Sequence, residues 1–173
     1  MLASKRKNLS NEDMVEYTIR KMRIDERPLL DEFLYEAIFV PIGEAPPPRS
    51  IIMNDDLQVY IRDFGAYPDD KCLIVETGGR IVGAVWTRIM KDYGHIADDT
   101  PSLAISLYKE YRSNGIGTDL LSQMLQLLRY HGYKKVSLSV QKENYATEMY
   151  LKAGFNVWKE TQEEYIMVCD LNT

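Results

Sequence analysis

The sequence predicts an α/β fold, an α+β mixed sheet flanked by helices. One observation is the stretch Pro101–Leu128, in which an apolar strand, a polar turn and an amphipathic helix follow one another. A second is a pair of apolar runs, Cys72–Glu76 and Arg80–Met90, joined by a glycine turn that is typical of a β-hairpin. The third is the order of all the patterns, β-α-α-β-β-β-α-β-α-β-β, which places helical connections among neighbouring strands.

The first strand and the first helix are predicted from short local patterns. Alternating apolar and polar side chains indicate a strand over Glu16–Met22. Asp25 as a cap and Pro28 in the first turn predict a helix start. The helix is expected to end at Pro41, because proline has no N–H with which to continue the hydrogen bonds.

A stiff loop and a short helix are expected between this helix and the hairpin. Pro41–Arg49 contains three consecutive prolines and cannot continue a helix. Apolar residues at helical spacing predict a short helix over Asp55–Phe64. Gly78 and Gly79 then suit the hairpin turn, because glycine adopts positive φ without strain.

The second half of the chain alternates strands with helices. A strand over Leu103–Leu107 leads through a turn into a helix in which Ile116, Leu120 and Met124 share one face. The other predicted elements are a polar loop over Asp92–Pro101, a strand over Val136–Val140, a helix over Asn144–Lys152 that Gly154 ends, and strands over Phe155–Trp158 and Tyr165–Leu171.

The composition is that of a globular protein and argues against several function classes. The 173 residues suffice for one domain, expected over residues 14–173 behind a flexible tail of residues 1–13. A formal charge of −5 argues against a nucleic-acid partner. Without a membrane-length apolar run or a signal-peptide pattern, we expect a cytoplasmic protein with no membrane partner. Cys72 and Cys169 are the only cysteines, so the sequence supports neither a disulfide scaffold nor a metal site.

The glycine turn before the long helix suggests phosphate binding. The N–H groups of a first helical turn point outward and carry partial positive charge, which suits phosphate. Gly115 and Gly117 allow a pyrophosphate close to the backbone, and Arg112 can supply charge at the rim. A P-loop is excluded because no Lys-Ser or Lys-Thr pair follows the glycines. A nicotinamide-dinucleotide enzyme is disfavoured because Leu120 stands where the fingerprint requires a third glycine.

Two motifs resemble those of the GNAT superfamily of N-acetyltransferases. The segment Arg112–Gly117, RSNGIG, resembles the family's Arg/Gln-x-x-Gly-x-Gly/Ala pyrophosphate turn. The segment Asn144–Phe155, NYATEMYLKAGF, is similar to its N-x-A-x-x-x-Y-x-K-x-G-F helix, and Gly79–Trp86 is similar to its central hairpin. The resemblance runs from about Tyr17 to Leu171 and implies the GNAT-like acyl-CoA N-acyltransferase fold, with a mostly antiparallel central sheet.

The resemblance also implies an activity and a cosubstrate. We expect an N-acetyltransferase that moves an acetyl group from acetyl-CoA to a primary amine by direct attack in a ternary complex. The alternative is a catalytically silent acyl-CoA-binding module, regulatory or for interaction, on the same fold. The strand before the turn would bind the thioester and the pantetheine arm, and the turn would bind the pyrophosphate. The cofactor-binding residues that the resemblance implies are Ile105, Ser106, Leu107, Arg112, Ser113, Asn114, Gly115, Ile116, Gly117, Thr118 and Asn144.

Tyr150 is the catalytic residue that the resemblance implies. It stands four residues before Gly154 of the Gly-Phe pair, where the family places its general acid. A model thiol has a pKa of about 8.5, so the CoA thiolate needs a proton as it leaves. A neutral phenol near the sulfur can donate that proton.

The sequence leaves several candidates for the general base and for the amine acceptor. Many family members carry a Glu on the strand before the turn, whereas this chain has Ser102, Ala104 and Ser106 there. Candidate bases, acting directly or through water, are Asp98, Asp99, His95, Glu32 and Glu36. The unidentified amine acceptor could be a small molecule, an antibiotic, a peptide or a protein lysine. Exposed edge strands near the C-terminus would allow a homodimer.

Overall fold

The computed structural model describes residues 16–172, and all strands in this range form one seven-stranded sheet. The strands are β1 (Thr18–Lys21), β2 (Lys71–Thr77), β3 (Arg80–Arg88), β4 (Ser102–Leu107), β5 (Lys135–Gln141), β6 (Phe155–Glu160) and β7 (Glu164–Asp170). Their order across the sheet is β1-β2-β3-β4-β5-β7-β6. β4 and β5 are parallel, and every other neighbouring pair is antiparallel. The predicted tail, residues 1–13, lies outside the described residues.

Helices cover both faces of the sheet. Within residues 16–172 the α-helices are α1 (Leu29–Glu36), α2 (Asp55–Gln58), α3 (Ile116–Tyr130) and α4 (Ala146–Ala153), with 3₁₀ turns at Ile24–Glu26, Arg49–Met53 and Lys109–Tyr111. The predicted order of strands and helices is confirmed, as is the mixed fold class. No helix in this part of the chain has both the length and the apolar character that a bilayer span requires.

Two apolar cores lie on opposite faces because successive side chains of a strand point in opposite directions. Leu73 and Val75 of β2 pack in the core that contains the apolar face of α3. Ile74, between them, packs in the other core with Leu30 and Phe33 of α1. Helix α3 forms because its apolar residues recur every three or four positions, and they are almost completely buried.

Several helix boundaries differ from the sequence prediction. Helix α1 ends at Glu36, before the chain reaches Pro41, and α4 begins at Ala146 instead of Asn144. Asp25 does not cap α1; it lies in a 3₁₀ turn, and Pro28 occupies the cap position. The second helix ends at Gln58, and the chain from there to Phe64 forms turns instead of further helix. Arg88 donates to the carbonyl groups of residues 59 and 62, and residue 63 has a φ of 53°, so tertiary contacts and a left-handed residue interrupt the helix there.

Candidate active site

Strands β4 and β5 meet at one end and separate toward the other. Ser102 pairs with Ser137, and the N–H of Ser137 donates to the carbonyl of Pro101 at 3.0 Å. Within the described residues no further pair joins the two strands, although they continue to Leu107 and Gln141. The divergence opens a cleft at the carboxyl ends of the parallel strands, a common position for ligands in open sheets.

Strand β4 presents two backbone N–H groups to this cleft. Successive N–H groups of a strand point to opposite edges, and the N–H of Tyr108 donates to the carbonyl of Val82 on β3 at 3.0 Å. The N–H of Ser106 therefore also points to β3. The N–H groups of Ile105 and Leu107 point to the cleft, so two of the three strand residues predicted to bind the cofactor can donate to a ligand there.

The turn between β4 and α3 contains a run of unpaired backbone N–H groups. Ser113 and Gly115 adopt positive φ of 65° and 80°, as occurs in backbone anion-binding nests. Among the described residues, none of the N–H groups of Ser113–Thr118 has a hydrogen-bond partner. The first α3 amide that does is that of Asp119, which donates to the Gly115 carbonyl at 3.2 Å. The unpaired N–H groups and the helix dipole together suit a pyrophosphate.

Arg112 turns toward β4 and α1. Its Nε donates to the carbonyl of Leu107 at 3.0 Å. Its Nη2 lies 3.1 Å from Glu36 Oε2 and 3.2 Å from the Glu36 carbonyl oxygen. The guanidinium therefore holds the turn against two other elements, and much of its charge is balanced by Glu36.

Helix α4 borders the cleft beside the start of α3. A Cβ on Gly117 would lie 3.5 Å from Met149 Sδ and 3.7 Å from Leu107 Cδ1, so the turn, α4 and the end of β4 meet there. Tyr150 follows on α4; it is buried, and its ring packs edge-to-face on Phe155 with centroids 5.8 Å apart. Burial raises the pKa of the Tyr150 phenol, so this side chain keeps its proton at neutral pH.

Asn144 shapes the start of α4. Its Oδ1 accepts from the N–H of Ala146 at 2.9 Å. Within residues 16–172 its Nδ2 has no partner and can donate. Asn144 therefore stabilises the start of α4 through Oδ1, and its Nδ2 remains available to a ligand.

The groups predicted as general bases already have partners. The pairs are Glu36 with Arg112 (3.1 Å), Glu32 with Arg49 (2.8 Å), Asp98 with His95 (3.2 Å) and Asp99 with the hydroxyl of Thr100 (3.0 Å). Nδ1 of His95 is the exception, since it is buried without a partner among the described residues. None of the predicted bases lies on β4 or β5, and the base stays a prediction.

The structure adds two residues that the sequence analysis missed. Gln141 on β5 lies opposite Glu164 on β7, and its Nε2 donates to Glu164 Oε1 at 2.9 Å. The alternation of β5 signals a polar face that ends at Gln141. The chain order cannot show that β7 lies beside β5, so the pair becomes visible only in the fold.

A match to a family model identifies the family to which this chain belongs. The model described as the Acetyltransferase (GNAT) family matches residues 35–155, more than two thirds of the 173 residues. The chain belongs to the GNAT family of acetyltransferases. The match includes the cleft strands, the glycine turn and α4 of this GNAT acetyltransferase, and it confirms the resemblance found in the two motifs.

Solved structures support the fold of this GNAT acetyltransferase. The GNAT domain of S. lividans PAT has a TM-score of 0.69 at 14% identity, over 97% of this chain and 96% of that one. PaiA N-acetyltransferase from Thermoplasma acidophilum, in complex with coenzyme A, has 0.65 at 21% identity, over 89% and 98%. The structure of yncA from Salmonella typhimurium with its cofactor acetyl-CoA has 0.64 at 15% identity, over 90% and 94%. At these identities the likeness shows the fold alone. No curated protein matches the chain in sequence.

Proposed function

We propose that this chain transfers an acetyl group from acetyl-CoA to a primary amine by direct attack in a ternary complex. The observation that carries the proposal is the run of unpaired N–H groups over Ser113–Thr118 at the open end of the cleft. A diphosphate accepts hydrogen bonds from such a run at a helix start. Coenzyme A and acetyl-CoA in the PaiA and yncA structures support the same cosubstrate here.

The cleft residues supply binding and polarisation in this proposal. The N–H groups of Ile105 and Leu107 would donate to the thioester carbonyl and the pantetheine arm. Hydrogen bonds from fixed donors stabilise the negative charge that develops on a carbonyl oxygen during attack. The N–H groups of Ser113–Thr118 would hold the pyrophosphate, and the free Nδ2 of Asn144 would donate on the α4 side.

Tyr150 would supply the proton for the leaving group. The amine nitrogen forms a bond to the acetyl carbon, the carbon–sulfur bond breaks, and the Tyr150 phenol donates its proton to the sulfur. The proton released by the attacking amine restores the phenol through solvent. Since burial raises the pKa of the Tyr150 phenol, the side chain is protonated when the thiolate departs.

A silent acyl-CoA-binding module is the second candidate. The observation that favours it is the engagement of Glu36, Glu32, Asp98 and Asp99 with partners. Strand β4 also carries no carboxylate. In such a protein acetyl-CoA would bind, and no amine would release thiol.

The test is thiol release from acetyl-CoA with a panel of amines, run on wild type and Tyr150→Phe. We expect kcat to fall by about 10²- to 10⁴-fold in the variant, with acetyl-CoA affinity within about twofold. Tyr130→Phe, which removes an exposed hydroxyl at the C-terminal end of α3, is the matched control and should leave kcat unchanged. Binding without thiol release would favour the silent module, and loss of acetyl-CoA binding in wild type would overturn the site assignment.

We also propose that residues 14–173 act as one domain, because one sheet takes in every strand of residues 16–172. The homodimer stays a prediction. Strand β6 is the edge at which it would form, since Val157 and Trp158 are exposed there. Sedimentation analysis of wild type and Trp158→Lys would test it.

A further inference from the structure

The side of the cleft that faces α1 carries polar side chains from β5 and β7. Val136 and Leu138 of β5 pack in the core beneath α3. Because side chains alternate along a strand, Ser139 and Gln141 point to the opposite face. Directly opposed residues of antiparallel strands share a face, which places Glu164 beside Gln141 on the α1 side.

The register of the parallel strands sets the level of Glu164 in the cleft. Ser102 pairs with Ser137, and Ser106 and Gln141 each follow four residues later on their diverging strands. The side chain of Ser106 also faces α1, since its hydroxyl donates to a carbonyl of that helix at 2.6 Å. Glu164 therefore lies across the cleft from the end of β4, on the face opposite α4.

The carboxylate of Glu164 is held in place before any ligand arrives. Its backbone closes the β6–β7 turn: Thr161 N–H donates to the Glu164 carbonyl at 2.9 Å, and Glu164 N–H donates to Thr161 Oγ1 at 3.1 Å. Gln141 Nε2 fixes Oε1 at 2.9 Å. Among the described residues, neither a hydrogen-bond donor nor a cation contacts the second oxygen.

Two other acidic groups on the α1 side of the cleft already accept hydrogen bonds from hydroxyl groups. Asp92 accepts from the hydroxyl of Ser102 at 2.7 Å, and Asp56 accepts from that of Tyr93 at 3.1 Å. Glu164 is half-buried and has one neutral donor. A partly desolvated carboxylate of this kind is stabilised most by a cation that donates hydrogen bonds.

We propose that Glu164 binds the protonated amino group of the acceptor, which makes the acceptor a primary alkyl amine that is cationic at neutral pH. An alkylammonium carries three N–H donors and fits the unpaired oxygen of Glu164. The inference rests on the proposed transferase function and names its substrate class. Glu164 is a specificity residue in this scheme: the bound ammonium releases one proton to solvent, and the neutral amine that results attacks the thioester.

The test compares wild type with Glu164→Gln at saturating acetyl-CoA. The acceptors are butylamine, 1,4-diaminobutane and Nα-acetyl-lysine amide, which are cationic, and hydroxylamine, which is uncharged at neutral pH. We expect KM for the best cationic acceptor to rise about tenfold to hundredfold in the variant, the range for a lost charged hydrogen bond. The rate with hydroxylamine and the Kd of acetyl-CoA should stay within about twofold.

Glu163→Gln is the matched control, because it removes the same charge from the exposed neighbouring residue. Glu164→Asp gives a second measure. It keeps the negative charge but moves the carboxylate one methylene farther from the bound ammonium, so KM should rise by less than in Glu164→Gln. Equal KM values in the Glu163 and Glu164 variants would overturn the assignment. So would an equal loss with hydroxylamine, which would indicate a structural role.

Failure of the inference and failure of the proposed function give different results. Enzyme-dependent thiol release with hydroxylamine, above its uncatalysed reaction with the thioester, but with none of the three alkyl amines would overturn the acceptor class and leave the transferase activity standing. Absence of acetyl-CoA binding in wild type would overturn the proposed function and the role of Glu164 together.

Discussion

Arg112 and Glu36 connect the turn before α3 to the end of α1, with Arg112 Nη2 3.1 Å from Glu36 Oε2. Arg112 also donates to the carbonyl of Leu107, the last residue of β4. One side chain therefore connects the turn at which we propose that the pyrophosphate binds to α1. Arg112 therefore acts as a clamp, a side chain whose hydrogen bonds hold the turn against β4 and α1, and it also places a positive charge near the turn.

Removing the clamp should weaken cosubstrate binding. Arg112→Ala loses three hydrogen bonds, two of them to carbonyl oxygens and one to a carboxylate. We expect acetyl-CoA affinity to fall about tenfold and the free energy of unfolding to fall by about 1–3 kcal/mol, measured by calorimetric titration and urea denaturation. Glu36→Gln should also weaken acetyl-CoA binding, by less. Tighter binding in Glu36→Gln would show instead that the Arg112 charge acts directly on the pyrophosphate.

The order of elements could be predicted because its signals are local. The apolar spacing in α3 and the glycines of the β2–β3 turn each depend on neighbours within a few residues. The second helix was predicted too long because its continuation is decided elsewhere in the chain. Arg88, 29 and 26 residues away, binds two of the carbonyl groups that a longer helix would use.

Residues of the candidate site could be proposed from the sequence only where they lie within one segment. The turn around Gly115 and the position of Tyr150 follow from two motifs. Their partners do not, since Glu36 lies 76 residues from Arg112 and contacts it only through the packing of α1 on β4. Glu164 was missed for a similar reason, because its neighbour is decided by the order of strands in the sheet.

Gly83→Ala should destabilise the protein at the strand that supports the cleft. A Cβ at this position would lie 2.2 Å from Leu107 Cδ2, 2.8 Å from the Ser106 carbonyl oxygen and 3.1 Å from Val75 Cγ1. The Leu107 side chain can move, but the carbonyl oxygen belongs to the β4 backbone. We expect the free energy of unfolding in urea to fall by about 1–3 kcal/mol.

Gly117→Ala is the control for this prediction. A Cβ there meets only ordinary van der Waals contacts, at 3.5 Å and 3.7 Å, and Gly117 lies inside α3. Alanine should therefore leave stability unchanged or raise it by up to about 1 kcal/mol, because glycine is a poor helix former. Equal stability of the two alanine variants would contradict the close packing at Gly83.

Glu26→Gln should change stability in a pH-dependent way. Both Glu26 oxygens lie 2.8 Å from guanidinium nitrogens of Arg20, and these hydrogen bonds lower the pKa of Glu26 from 4.5 to about 2. A lowered pKa means that the carboxylate stabilises the fold above about pH 4.5 and loses this effect as the pH falls toward 2. We expect the variant to be less stable by about 1–2 kcal/mol at pH 7, with a smaller difference at pH 3 in urea denaturation.

Glu44→Gln is the control for Glu26→Gln, because Glu44 is exposed and the described residues show no ion pair to it. Glu44→Gln should leave stability unchanged at both pH values. A constant deficit of Glu26→Gln at pH 7 and pH 3 would indicate lost packing instead of a lost ionic interaction.

Gly94→Ala should affect acceptor binding while sparing the cosubstrate. Gly94 lies against β5: a Cβ there would be 2.9 Å from Leu138 C and 3.0 Å from Ser139 N, and Ser137 Oγ donates to its carbonyl at 2.6 Å. Because the β5 backbone is fixed between its neighbours, the loop must move away from the α1 side of the cleft. We expect KM for the acceptor to rise severalfold with the Kd of acetyl-CoA unchanged, measured by steady-state thiol release and calorimetric titration. Ser137→Ala removes the hydrogen bond without adding a clash, so it should raise KM by less, and a Gly94→Ala protein with wild-type KM would show that this loop does not border the acceptor.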